Sequence, residues 1–191
     1  MLIVVTAPSG AGKTTIVKEL MNRINDLKFS VSATTRHKRN GEIDGKDYYF
    51  ISKDEFEQKV KQGEFVEYEE VHGNYYGTLK KEIEKFINLG KDVIFDVDVK
   101  GALSIKKTFS EALTFFIYAP EDVIISRLKN RKTESEQQIK KRIERMKYEL
   151  NLKDKFDYGI SNLEGLNGLN NAVNEIIKII NNNKKRRNNA N

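Results

Sequence analysis

Leu2-Ile3-Val4-Val5-Thr6-Ala7-Pro8-Ser9-Gly10-Ala11-Gly12-Lys13-Thr14 opens the chain, and its reading decides the fold class. Leu2 to Thr6 is a short apolar, largely β-branched run stopped by Pro8 and glycines, the pattern of a buried strand. From Lys13 the period changes, and Ile16, Val17, Leu20 and Ile24 recur at helical spacing. The loop between them follows the phosphate-binding pattern of a glycine, four residues and Gly-Lys-Ser/Thr, in the strand–loop–helix setting that pattern needs. Small residues let the backbone curl around a phosphate with its N–H groups inward, and the helix N-terminus adds about half a positive charge. Lys13 is a point charge for the outer phosphates, and Thr14 offers a hydroxyl to Mg²⁺. The expected nucleoside triphosphate site is therefore Ala7, Pro8, Ser9, Gly10, Ala11, Gly12, Lys13, Thr14 and Thr15. Ala7 stands where the pattern has glycine. A left-handed backbone there would cost about 1–2 kcal/mol, a negative φ almost nothing, and the intact remainder of the loop argues for the negative φ.

Further strands are expected at Phe29–Val31, Tyr48–Ile51, Glu64–Val71, Val93–Val97, Leu113–Tyr118 and Tyr158–Ser161. Helices are expected from Lys13, over Lys53–Lys61, after Thr78 as cap, after Pro120, along Ile139–Leu150 and along Leu169–Ile180. Strands alternating with helices predict an α/β fold, a parallel sheet wrapped by helices. Two segments break the alternation, Ser32–Tyr76 and Arg131–Gln138, and such insertions are where function concentrates.

The chain has 191 residues, 38% of them hydrophobic, enough for one domain that buries roughly 70% of its unfolded surface without staples. There is no cysteine, and the only histidines are His37 and His72. Thiolate metal sites, cysteine nucleophiles, disulfides and a histidine metal cage are thereby excluded. No apolar run approaches the ~18–20 residues of a membrane span, and the start lacks the pattern of a signal peptide. A soluble, cytoplasmic protein is expected. Lys and Arg total 34 against 28 Asp and Glu, a net +6, of which the run Lys184-Lys185-Arg186-Arg187 supplies four charges and leaves +2. A nucleic-acid binder would carry its excess on a folded face; here residues 181–191 read as a disordered basic tail, and no nucleic-acid or membrane partner is expected.

The first insertion carries Ser30-Val31-Ser32-Ala33-Thr34-Thr35-Arg36, Arg39, Gly41-Glu42 and Gly45-Lys46-Asp47-Tyr48, then Glu67 and Gly73-Asn74-Tyr75-Tyr76-Gly77-Thr78. With Asp96-Val97-Asp98 and the arginine-rich stretch after Leu128, these motifs resemble guanylate kinase in order and spacing from the first strand to about Asn162. The resemblance implies a P-loop core of residues 1–31, 79–130 and 150–180, a mixed α+β GMP-binding insertion at 32–78, and a lid at 131–149, in a single domain over 1–180. It implies Mg²⁺-dependent transfer from ATP to GMP, and to dGMP, with ATP and GMP as small-molecule partners.

The residue chemistry agrees. A monophosphate dianion suits guanidinium and phenol donors, and the resemblance assigns that task to Arg36, Arg39, Tyr48 and Tyr76. Guanine presents two adjacent donors that a carboxylate accepts, whereas adenine offers a lone pair that it repels. The resemblance places Glu67 there, with Ser32, Thr78 and Asp98 completing the GMP site. Asp96 and Asp98 lie two apart on a strand end and so share a side; one of them could instead cap the helix starting near Gly101. By resemblance Asp96 lies near Mg²⁺ and the phosphates, Arg131 and Arg142 close over the transferring group, and Arg127 and Asn162 lie at the donor base. Lys100 and Lys132 replace a Gln and a Gly common in the family. The contrasting reading is a catalytically inactive, guanylate-kinase-like binding module.

Overall fold

The computed structural model describes residues 1–71, 73–129, 136–163 and 165–190. Arg131 and Lys132, on which the lid expectation turns, lie outside the described residues. The chain divides into two compact units, Met1–Val4 with Asp26–Leu113 and Val5–Asn25 with Thr114–Asn191. Strand β1 (Leu2–Thr6) contributes to both units. β1 belongs to a five-stranded sheet of order β2-β7-β1-β8-β9, formed with β2 (Lys28–Phe29), β7 (Val93–Asp96), β8 (Leu113–Tyr118) and β9 (Tyr158–Ser161). β2 pairs with β7, and β8 with β9, in parallel. All five residues of β1 are buried, as a near-continuous apolar strand of a parallel sheet should be.

In the first unit a second sheet has the order β4-β3-β6-β5, from β3 (Ala33–Thr34), β4 (Tyr49–Phe50), β5 (Phe65–Val71) and β6 (Asn74–Leu79). Its own small core is Ala33, Phe56, Phe65 and Leu79. Phe56, on helix α2 (Lys53–Lys61), stacks on Phe65 at 4.4 Å and on Tyr75 at 5.3 Å. Ser52 caps α2 by accepting from the Glu55 amide at 3.1 Å, a serine in its preferred place. β3 and β6 are the strands that sequence reading passed over. Thr78 was expected as a helix cap but lies inside β6, and α3 (Lys80–Asn88) begins after Leu79 without a side-chain cap. Pairing with β5 at Glu67 opposite Thr78 keeps that residue extended, so tertiary pairing overrides its local capping tendency. After β7, Asp98 caps α4 (Val99–Thr108), accepting from the Gly101 amide at 2.8 Å.

In the second unit α1 (Lys13–Arg23) follows the glycine-rich loop. With it fold α5 (Glu121–Lys129), α6 (Glu136–Leu150), a 3₁₀ turn at Lys153–Lys155, and α7 (Gly165–Ala190). Arg23 of α1 reaches Asn170 and Asn174 of α7 at 2.6 and 3.3 Å. Asp157 takes both the amide and hydroxyl of Thr114, at 2.9 and 2.7 Å, fixing the register of β8 against β9. α7 does not stop at Ile180 but runs through the basic stretch, where a disordered tail was expected. Its buried stripe Ala172, Val173, Ile176 and Ile180 supplies the nucleus. Extension of a formed helix carries no further nucleation cost, and Lys184 to Arg187 suit the negative end of its dipole.

Candidate active site

The second unit builds the phosphate loop. Gly10 and Gly12 have φ of +91° and +93°, conformations that only glycine takes without strain, and Gly12 forms the left-handed cap of α1. Among the described residues the one non-glycine with positive φ is Asp26, so Ala7 sits at negative φ, as expected, and its methyl carries no backbone penalty. The Ala11 carbonyl is held from outside the loop. Asn162, 5% exposed, donates its Nδ2–H to Ala11 O at 2.7 Å, and Arg127 Nη1 reaches the same oxygen at 3.5 Å. Arg127 Nη2 also donates to the carbonyls of Asn162 and Leu163, at 3.3 and 3.2 Å. Both residues were expected at the donor base; in the structure they brace the glycine-rich loop. A cavity of about 320 Å³ opens beside them, lined by Gly10, Gly12, Thr15, Arg127, Asn162 and Leu169 among others. Arg142 of α6 donates to the Ser9 hydroxyl at 3.0 Å, which brings one expected lid arginine onto the loop. Thr14 is exposed in the first turn of α1.

The first unit builds a separate cavity of about 300 Å³. Six expected residues meet on its wall: Ser32, Tyr48, Glu67, Tyr76, Asp96 and Asp98. Glu67 projects from β5 and accepts the hydroxyl proton of Thr78 across the sheet. Sequence reasoning missed Glu69, which lies two residues further along the same face of β5 and lines the same cavity. Lys100 reaches Glu69 at 3.2 Å, so the lysine that departs from the family pattern meets a carboxylate. The period-two spacing of Glu67 and Glu69 was the available signal.

Tyr48 and Tyr76 meet edge to face at 5.9 Å, and the Arg36 guanidinium lies 5.5 Å from the Tyr48 ring centroid. Burial, then Asp96 and Tyr76, push the Tyr48 phenol above its ordinary pKa, so it stays a donor. Arg36 is held by an acid that sequence reading had quoted but not used. Glu42 accepts from Nη1 at 3.0 Å and Nη2 at 2.7 Å, and takes the Arg39 amide at 2.8 Å. That geometry holds the Glu42 carboxyl below the usual range, through the Arg36 pair first and the Arg39 amide second, and raises the Arg36 pKa in return. Arg39 itself is exposed and does not line the cavity. Tyr49 faces the other way and donates to buried Glu82 of α3 at 2.9 Å; burial and that bond push its pKa to about 12.

One unit thus carries a glycine-rich loop at a helix N-terminus with Lys13, Thr14 and Arg142 beside it, fit to hold a polyphosphate. The other carries a cavity lined by the phenols Tyr48 and Tyr76 and the carboxylates Glu67, Glu69, Asp96 and Asp98, with the Arg36 guanidinium against Tyr48, groups fit to hold a polar ring with hydrogen-bond donors. Among the described residues no cluster of three metal-ligating side chains exists. A Mg²⁺ held chiefly by phosphate oxygens and water needs no such cage, and the exposed Thr14 hydroxyl fits that mode. No described helix is long and apolar enough to cross a membrane.

The family model for guanylate kinase matches residues 1–183. The guanylate kinase of Thermotoga maritima is 45% identical over 180 residues, covering 94% of this chain and 85% of the relative. That of Chlorobium chlorochromatii is 48% identical over 177 residues, covering 92% and 91%. Among solved structures, the crystal structure of guanylate kinase from Anaplasma phagocytophilum superposes with a TM-score of 0.75 at 28% identity, covering 96% of this chain and 85% of that one. From the loop, the cavity and these matches together it follows that the chain is an enzyme of the guanylate kinase family.

Proposed function

We propose that this enzyme transfers the γ-phosphoryl group of ATP to GMP, and to dGMP, giving ADP and GDP, with Mg²⁺ and in the cytoplasm. The observation that carries the substrate assignment is the acceptor cavity, whose lining joins Glu67, Asp98 and Ser32 to Tyr48 and Tyr76, with the Arg36 guanidinium against the Tyr48 ring. A carboxylate accepts both guanine donors, the ring N–H and the exocyclic amine. Facing adenine it would meet a lone pair and remain unpaired, at about 1–3 kcal/mol or more for a charge.

An oxygen of the GMP phosphate attacks the γ-phosphorus, the bond from that phosphorus to the β–γ bridging oxygen breaks, and ADP leaves. A phosphate oxygen is already a nucleophile, so no side chain need act as a strong base. The protein supplies alignment and charge. The loop amides and Lys13 hold the donor phosphates, Arg142 brings a second cation to them through its place on Ser9, and Arg36, Tyr48 and Tyr76 hold the acceptor phosphate, with Arg39 assigned there by family likeness alone. Mg²⁺, when bound, would neutralise donor phosphate charge, with Thr14 as the residue that would attend it; Asp96 is assigned to it by family likeness alone. Arg127 and Asn162 keep the loop in shape and border the donor base, and Thr78 orients Glu67. Arg131 is assigned a charge-stabilising role by family likeness alone.

A panel of nucleoside monophosphates with ATP and Mg²⁺, followed by coupled detection of ADP, tests this. Turnover with GMP and dGMP, and little with AMP, CMP or UMP, is expected. GMP binding without GMP-dependent ADP formation would mean an inactive binding module, and equal turnover of AMP would sink the substrate assignment.

A further inference from the structure

Gly101 is a buried residue in the first turn of α4, without a positive φ. Its backbone does not require glycine, and a helix is more stable with alanine at such a position. What requires glycine is space. A Cβ built on Gly101 would lie 2.8 Å from Glu67 Oε2, 3.0 Å from Glu67 Cδ and 3.1 Å from Asp98 Oδ1. Two acidic side chains thus occupy the volume that any other residue at 101 would fill. Thr78 holds the other oxygen of Glu67 and the Gly101 amide holds Asp98 at 2.8 Å, so a side chain at 101 that displaces either carboxylate disturbs a bond it makes now. The notch also seats Glu67 beside the first turn of α4, where the helix dipole favours an anion.

We propose that Gly101 is a specificity-determining position of the acceptor pocket: by having no side chain it sets the depth at which Glu67 and Asp98 sit, and hence whether they meet the guanine edge. This rests on the reading of Glu67 above and adds a residue that makes no contact of its own with the base. Gly101 acts through the two carboxylates, so it is a positioning residue.

The test is Gly101→Ala. A methyl at this site displaces Glu67 while the helix gains an alanine. The KM for GMP should rise about tenfold or more, the loss expected for one charge-assisted hydrogen bond, and the preference for GMP over AMP should fall. The KM for ATP should hold, and any loss of melting temperature in Gly101→Ala should be smaller in the Glu67→Asp background. Glu67→Asp withdraws the carboxylate by one methylene, so adding Gly101→Ala to that variant should change the KM for GMP by less than twofold. An unchanged KM and preference in folded Gly101→Ala overturns the proposal, as does an equal effect in both backgrounds. If Gly101→Ala fails to fold, Glu67→Asp must restore folding; failure to do so places the collision elsewhere. Should the parent enzyme itself show no preference for GMP, the substrate assignment fails, while melting temperatures of the four proteins still decide whether Gly101 and Glu67 compete for one space.

Discussion

Replacing Gly12 with alanine should damage the phosphate loop in two separable ways. The backbone at Gly12 has φ +93°, and holding an alanine there costs about 1–2 kcal/mol. The new Cβ would also sit inside hard contact of Asn162 Nδ2, the atom that donates to the Ala11 carbonyl at 2.7 Å. Expelling that amide forfeits about 0.5–1.5 kcal/mol of net hydrogen bonding and leaves a buried polar group in search of a partner. The sum is about 1.5–3.5 kcal/mol, and at about 2–4 °C per kcal/mol for a chain of this size the melting temperature should fall by about 3–14 °C. Affinity for a non-hydrolysable ATP analogue should fall as well, while GMP binding holds. Thermal unfolding of the parent, Gly12→Ala, Asn162→Ala and the double variant separates the two causes. Removing the amide relieves the contact but not the backbone strain, so the double variant should be more stable than the sum of the single losses. Additive losses, or a Gly12→Ala protein as stable as its parent, would refute the argument.

Glu67→Gln keeps the shape but puts an amide where a charge stood; discrimination between GMP and AMP should weaken in competition assays, and unchanged discrimination would refute the role given to that carboxylate. Glu42→Gln should release Arg36 and raise the KM for GMP while leaving the KM for ATP unmoved. Because the folded Glu42 pKa lies below its ordinary value, the pair is fully present above the unfolded value, near 4.3, and is lost as pH falls through the lowered one; ligand-detected titration of GMP affinity should therefore show no Glu42-dependent change from neutral pH down to about 5. Tyr49→Phe leaves buried Glu82 without its phenol donor and should lower stability by about 1.5–3 kcal/mol, the range for a hydrogen bond to a charged group, read by urea unfolding. The Tyr49 pKa is raised to about 12, so its contribution is complete below about pH 10 and disappears as pH climbs through 12.

The phosphate loop, helix α2 and strands β8 and β9 were readable because their causes are local. A change of apolar period, a capping serine and a glycine pair needing positive φ all act within a few residues of chain. Matching motif order was enough to nominate Ser32, Tyr48, Glu67, Tyr76, Asp96 and Asp98, which line one cavity. What no local pattern contains is who stands opposite whom. Thr78 looked like a cap until pairing of β5 with β6 set it against Glu67. The motif named Glu42 without a partner, and the structure folds it against Arg36; Gly101 marked only a helix start, and the structure sets two carboxylates in the space of its missing side chain. The basic end of α7 reads as disordered by composition and is helical because packing upstream had already supplied the nucleus. Short-range stereochemistry and period set the elements and the loop. The orientation of charge inside each cavity came from contacts between residues distant in the chain, whose free energies exist only after the chain has closed on itself.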